Sequence, residues 1–208
     1  MESAILSNDL EIQSLRELIK RLSSKSTVVD FEEKIQLARV KTNTRIWKQD
    51  DAIIGFAFVD NFNNLWFDSD IQGPLLDQLE TEMITWGVAC MKMLNTQTGE
   101  NQTLDCSCHA DNWHRLDLLE KHGFMLEQVR SLHYERSLEQ PVIEQPLPKG
   151  FSIRCVKGRD EVEALVSLHR SAFGTTYMTV EERLAIMNAP NYVPEMDLVA
   201  VTADGDLA

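Results

Sequence analysis

The sequence predicts an α/β (α+β) fold: a mixed, mostly antiparallel sheet flanked by helices, followed by the opening of a second unit of the same kind. Three observations predict it. Ala52–Asp60 is a nearly unbroken apolar run between two turn signals, Gln49-Asp50-Asp51 and Asn61–Asn64, as expected of a strand covered on both faces. Two long segments, Leu10–Leu22 and Leu76–Cys90, repeat apolar residues at helical spacing. After the cluster Pro141, Pro146 and Pro148, the strand-then-helix pattern begins again.

Taken in order, Leu10, Ile12, Leu15, Leu18, Ile19 and Leu22 form one face of a first helix, with Ser7 or Asn8 as its cap. A second helix is expected to open at Asp30, because Glu33 stands three residues later as a capping box requires. Thr44–Lys48 and Leu65–Phe67 read as strands on either side of the central run. Gly73-Pro74 marks a helix start, with proline at the first helical position. In that helix Leu76, Leu79, Met83, Trp86 and Cys90 share a face, and Asp77, Glu80 and Glu82 are expected to point elsewhere. Asn95–Glu100 reads as a polar loop and Thr103–His109 as a strand. Asn112–His122 reads as a short helix closed by Gly123, and Met125–Ser137 as a long strand.

The prolines forbid a helix and favour an extended connection, so residues 139–149 are expected to link a domain at 1–138 to a second at 150–208. In the second, Phe151–Val156 is a strand, Asp160–Phe173 an amphipathic helix, and Thr179 with Glu182 caps another. Met196–Thr202 is a strand, and Ala203-Asp204-Gly205-Asp206 signals a hairpin whose return strand has barely begun at Ala208. The expectation is that this second domain is incomplete here. An unpaired, apolar strand edge predicts pairing with a second copy, a homodimer.

Composition excludes several classes. The 208 residues carry 20 basic and 33 acidic side chains, a net charge of −13, which argues against a nucleic-acid partner. No stretch has the ~20 apolar residues of a membrane span, so no membrane partner is expected. The first ten residues lack the charge and apolar run of a secretory signal, and four cysteines in this length do not build a disulfide framework. The reading is cytoplasmic.

Some residues invite specific chemistry. Cys106-Ser107-Cys108-His109, with His114 nearby, suggests zinc or a cysteine nucleophile. Adjacent strand residues point to opposite faces and no Cys-x-x-Cys pair is present, so cysteines packed into a core are the commoner explanation and no metal is expected. Asp105, Asp111, His109 and His114 offer bases for an amine, against the plainer reading of solvated loop groups.

The order of elements resembles that of the GNAT superfamily of N-acetyltransferases. The most specific match is Asn112-Trp113-His114-Arg115-Leu116-Asp117-Leu118-Leu119-Glu120-Lys121-His122-Gly123-Phe124, which resembles the family's fourth helix with its Gly-Phe end. Leu147-Pro148-Lys149-Gly150-Phe151-Ser152-Ile153-Arg154 is similar to the junction of two-domain, mycothiol synthase-like members, and Leu168-His169-Arg170-Ser171-Ala172-Phe173-Gly174 to the first helix of their second domain.

The resemblance implies an acyltransferase that moves an acetyl group from acetyl-CoA to a primary amine of a small molecule. The alternative is a non-catalytic GNAT-like binding or structural module. In the family, acetyl-CoA lies in a V beside the fourth strand, a backbone amide of that strand stabilises the oxyanion, and the pyrophosphate rests on amides that open the third helix. Here those positions imply Ile71, Gln72, Gly73 and Asn112 as cofactor-binding residues. Phe173, Tyr177, Met178 and Tyr192 fall where the family builds an acceptor wall.

The first domain departs from the family pattern. Asp68-Ser69-Asp70-Ile71-Gln72-Gly73-Pro74 holds one glycine, two carboxylates and a proline without an amide. Leu119 stands where a tyrosine would protonate the leaving thiolate. The expectation is therefore a degenerate first domain that binds acetyl-CoA weakly or not at all, with activity in the second. No catalytic residue is assigned.

Overall fold

The structure is a computed structural model. It describes residues 1–208 except 23, 24, 129, 133, 138, 140, 142 and 144, and the side chains of residues 25–27 are likewise not described. The chain divides into two compact units, Met1–Met125 with Ala185–Asn191 and Leu126–Leu184 with Tyr192–Ala208.

The first unit is built on a four-stranded antiparallel sheet in the order β1-β2-β3-β4: β1 (Glu2–Ile5), β2 (Thr44–Gln49), β3 (Ala52–Val59) and β4 (Leu65–Ser69). The apolar run is the inner strand β3, as its composition predicts. Asp50 and Asp51, at φ 49° and 64°, make the tight β2–β3 hairpin, a conformation that short polar side chains tolerate.

One sheet face is covered by α1 (Asp9–Leu22), α2 (Lys25–Lys34) and α3 (Ala38–Thr42), with Leu15, Leu18, Ile19, Phe31 and Val40 packed on Ile46, Phe56 and Phe58. The other face is covered by α4 (Pro74–Thr98) and α5 (Trp113–Lys121), with Leu79, Met83, Ile84 and Leu119 packed on Ala57, Val59, Leu65 and Phe67. A register shift between Trp47 and Lys48 leaves Ile54 outside the pairing. This bulge reverses the alternation, so Ile53 joins the first core and Ile54 the second. No helix among the described residues is long and apolar enough to cross a membrane.

Several expected elements differ. α2 begins at Lys25 and not at Asp30, which lies in its interior. α4 runs through Thr98, absorbing most of the expected loop; the Thr96 and Thr98 hydroxyls bond back to the Lys92 and Leu94 carbonyls, and Gly99 at φ 72° ends the helix. Glu80 points inward and is buried, against the expectation of an outward side chain. Thr103–His109 is not a strand: only Asp105 bridges, in parallel, to Asn64. The described residues of Met125–Ser137 form no strand, and residues 129 and 133 of that segment lie outside the described ones. In 139–149 the described residues have no regular structure, and residues 140, 142 and 144 lie outside them.

The second unit pairs β5 (Phe151–Cys155) with β6 (Leu198–Thr202) in antiparallel register. A 3₁₀ turn at Gly158–Glu161 leads into α6 (Val162–Phe173), two residues later than the sequence pattern suggests. Thr179 Oγ1 accepts the Glu182 amide at 3.1 Å and the Glu182 carboxylate accepts the Thr179 amide, the expected capping box at the start of α7 (Val180–Asn188). The hairpin after β6 closes with Thr202 N donating to Asp206 O at 2.9 Å.

Candidate functional site

The site lies on the open edge of β4, in the first unit. Along its other edge β4 is paired to β3 from Leu65 to Ser69. On the open edge Leu65 N donates to Asp105 O at 2.7 Å, and Asp105 N donates to Asn63 O at 3.0 Å. There, among the described residues, the backbone pairing with the following segment stops. Phe67, two residues beyond Leu65, turns its amide to the same side and finds no partner among the described residues. Among the described residues this edge of β4 is thus an unpaired slot beside the segment leading to α5, with its vertex at the Asn64–Asp105 bridge.

The vertex is fixed by a buried carboxylate. Asp60, fully buried at the end of β3, accepts from the Phe62 and Asn64 amides at 2.9 Å, from Trp66 Nε1 at 3.0 Å and from Lys34 Nζ at 2.7 Å. Burial alone would raise its pKa. The bond and charge of Lys34, with the Asn64 and Trp66 donors, outweigh that and hold the carboxyl below its ordinary value.

The first turns of α4 and α5 meet at the other end of the slot. Gly73 precedes α4 at φ 76° and ψ −155°, a backbone region that essentially only glycine adopts. The amides of Ile71, Gln72 and Gly73 have no acceptor among the described residues, and Pro74 has no amide to offer. Gln72 and Gly73 are exposed, while Ile71 packs partly against the α4 core. Asn112 caps α5: its Oδ1 accepts the Arg115 amide at 3.1 Å and its carbonyl accepts the Leu116 amide at 3.0 Å.

That cap aims Arg115 at α4 and β4. Arg115 Nε donates to Glu80 Oε1 at 3.1 Å, Nη2 donates to the same oxygen, and Nη2 also donates to Asp68 Oδ1 at 3.3 Å. The guanidinium carbon lies 4.6 Å from the Phe67 ring centroid, a cation–π stack. Burial opposes its charge, but Glu80 and then Asp68 outweigh that and hold the guanidinium protonated, above its ordinary value. His114 Nε2 approaches Glu80 Oε2 at 3.3 Å and Asp77 Oδ1 at 3.5 Å. Asp70, the first residue of the loop after β4, pairs with Arg21 at 2.9 Å.

Comparison with protein-family models and with curated proteins finds no match. Among solved structures, a GCN5-related N-acetyltransferase from Sphaerobacter thermophilus superposes with a TM-score of 0.59 at 17% identity, covering 99% of this chain and 69% of that one. The chain has the GNAT fold. The aminoglycoside N-acetyltransferase AAC(6')-Iy, in complex with the bisubstrate analogue CoA-S-monomethyl-acetylneamine, aligns at a TM-score of 0.42 and 18% identity, over 66% of this chain and 99% of its own.

In GNAT terms, the structure puts the resemblance-derived positions at two helix starts. Ile71, Gln72 and Gly73 enter α4, Asn112 enters α5, and the Arg115–Glu80 and His114–Asp77 contacts tie the two together. Leu119 is buried in the core beneath α5. Cys106 and Cys108 pack against the same core; burial pushes the Cys106 thiol up to about 12 and that of Cys108 upward, so both stay protonated at neutral pH. Among the described residues, no three His, Cys, Asp or Glu side chains converge as metal ligands. In the second unit Phe173 and Tyr177 are exposed, and the Tyr192 hydroxyl donates to Asp197 at 2.7 Å.

Sequence reasoning counted Asp68 and Asp70 as departures from the family's cradle and missed their arginine partners, Arg115 and Arg21. It also missed Glu80. One signal was available: Glu80 follows Leu76 by four residues and precedes Met83 by three, so it borders the apolar stripe.

Proposed function

We propose that this chain is part of an acetyl-CoA-dependent N-acetyltransferase acting on a primary amine of a small molecule, and that its first unit is a degenerate, non-catalytic copy of the GNAT domain. The observation that carries the second statement is the state of the slot beside β4. A pyrophosphate cradle needs several amides converging at a helix start, where the helix dipole adds to them. This loop offers Ile71, Gln72 and Gly73 before Pro74 interrupts the series. Around it stand Asp68, Asp70, Asp77 and Glu80, against the cations Arg21, already paired with Asp70, and Arg115, already paired with Asp68 and Glu80. The residues present do not fit coenzyme A, and no acyl-transfer step is assigned to them.

Two further features support the reading. The amide of Phe67 faces the slot, as an oxyanion donor would, so the fold retains the framework of the reaction. The side chain at Leu119 has no proton to give a leaving thiolate, and general acid catalysis is typically worth ~10²–10⁴-fold in rate. The chemistry is then left to the domain that β5 and α6 open, with Phe173, Tyr177, Met178 and Tyr192 on its acceptor side. In the same reading the protein works in the cytoplasm and pairs as a homodimer through the second unit.

Isothermal titration tests this. This chain is expected to show no heat with acetyl-CoA up to millimolar concentration. A longer protein with a complete second domain is expected to bind it at micromolar concentration and to acetylate primary amines. Micromolar binding by this chain would show that Ile71, Gln72, Gly73 and Asn112 form a working site.

A further inference from the structure

β6 is apolar at every position but its last, Leu198-Val199-Ala200-Val201-Thr202. In the first unit a strand of that composition, β3, is covered on both faces. β6 is covered on one. Val199 and Val201 are buried, and Arg154, which stands opposite Val199 in the ladder, pairs with Glu161 just before α6, where Val162 and Val166 are buried as well. The other face is bare. The register sets Phe151 across from Thr202, Ile153 across from Ala200 and Cys155 across from Leu198, so these six side chains leave the sheet on one face. Phe151 is 43% exposed, Ile153 53% and Leu198 58%, and none of the six is charged in a chain of net charge −13. Met196, two residues before Leu198, is 77% exposed.

We propose that this face is where two copies of the chain associate, sheet face on sheet face about a two-fold axis, an assignment that rests on the homodimer reading above. The contact is a face and not a strand edge, because the outer edge of β6 is already taken. Thr202 N donates to Asp206 O at 2.9 Å, Ala208 N donates to Ala200 O at 3.0 Å, and Val201 bridges Leu207. An uncharged face suits a second copy in particular. Two chains of the same strong negative charge repel wherever their charges meet, and a two-fold axis sets each patch against itself. Phe151, Ile153, Leu198 and Met196 leave roughly 400 Å² per copy open to water, so a pair buries about 800 Å² before its rim is counted. Interfaces of that size are weak and reversible, so the dimer forms as concentration rises and is not obligate. Cys155 is an exposed thiol on the same face, whereas Cys90 is buried and Cys106 and Cys108 are partly buried, so Cys155 reports on whether the face is covered.

Sedimentation equilibrium of this whole chain from about 10 μM to about 1 mM tests the dimer, and a shift from monomer to dimer mass across that range is expected. Ile153→Glu places a charge at an exposed position outside the core. It is expected to raise the dissociation constant roughly tenfold or more, with far-ultraviolet circular dichroism unchanged. Leu198→Lys, on the other strand, is expected to do the same, so the result does not hang on one variant folding. Alkylation of Cys155 by iodoacetamide is expected to slow about threefold or more where the dimer predominates, since a thiol covered by a partner is shielded from the reagent. Monomer mass at every concentration would overturn both this surface and the homodimer reading. A dimer that survives both substitutions, with Cys155 still fully reactive, would overturn the surface alone and leave the homodimer to form elsewhere.

Discussion

Replacing Asp60 with asparagine should destabilise the first unit severely, because this one carboxylate organises the β3–β4 turn and thereby the vertex of the slot. Asp60→Asn keeps the shape and removes the charge. The side chain now accepts from the Phe62 and Asn64 amides, from Trp66 Nε1 and from Lys34, whose side chain is only 17% exposed. An asparagine must turn an NH₂ group toward some of these donors and leaves Lys34 Nζ without its counter-ion. Breaking a buried pair from one side costs about 3–5 kcal/mol. For a chain of this size ~1 kcal/mol corresponds to ~2–4 °C in melting temperature, so a fall of ~6–20 °C is expected.

Lys34→Met in the same cycle should recover part of the loss, since Lys34 Nζ also lies 5.4 Å from the Phe62 and Trp66 rings and its apolar stem is already packed there. Denaturant unfolding of the two single variants and the double variant gives the coupling directly. A coupling below ~0.5 kcal/mol, the scatter of independent sites, would refute the claim that this pair fixes the turn. The pH dependence has a definite sign. Asp60 is held below its ordinary value in the fold, so its stabilisation is present above the unfolded carboxyl's pKa and is lost as pH falls through the folded one. Asp60→Asn should therefore flatten the acid limb of the stability curve.

Three further outcomes are expected. Gly73→Ala meets no atom within 4 Å, so its cost is backbone strain alone, about 1–3 kcal/mol by chemical denaturation, with the core packing unchanged by near-ultraviolet circular dichroism. Gly55→Ala is different in kind: its new methyl would meet Met83 Cε at 2.4 Å and Ser69 Cβ at 3.1 Å, and an overpacking cost of about 1–3 kcal/mol should be relieved by Met83→Ala in the same chain, measured as a double-mutant cycle. Glu11 is held at about 2, chiefly by its bond to Lys48 and against burial, so its contribution is whole above the ordinary carboxylate range and lost as pH falls toward about 2; Glu11→Gln should remove that part of the melting-temperature decline between about pH 4.5 and 2.

The features legible in the sequence were those set by local pattern. β3 declared itself because a strand covered on both faces must be apolar throughout, and the Asp50-Asp51 hairpin because few side chains accept a positive φ. The helix starts at Pro74 and Asn112 were readable for the same reason: proline without an amide and an asparagine cap leave few other local structures. What failed depended on partners distant in sequence. Thr103–His109 has the composition of a strand but meets β4 only at Asp105, because the sheet opens there. The bulge at Ile54 is set by pairing with β2 and cannot be seen from the apolar run itself. At the site, Asp68 looked like a free anion because its partner Arg115 is 47 residues away. Glu80 looked like a surface charge because burying a carboxylate is uncommon unless an arginine meets it, and the one that does lies 35 residues further on.

In the proposed reading, the same distant pairs set how far the first unit stands from a working acetyltransferase. Restoring a tyrosine at position 119 would not be enough, because Leu119 is buried and a hydroxyl placed there needs a donor or acceptor that the surrounding core of Leu79, Met83 and Leu118 lacks. Replacing Pro74 would return one amide to the α4 start, yet the carboxylates of Asp68 and Asp70 would still stand on its approach. Removing those carboxylates would in turn take one partner each from Arg115, which keeps Glu80, and from Arg21. The cradle and the acid are thus tied to different parts of the fold, and each repair exposes the next deficit. The Arg115–Glu80 pair then has a structural use of its own: it gives the buried Glu80 carboxylate its counter-ion.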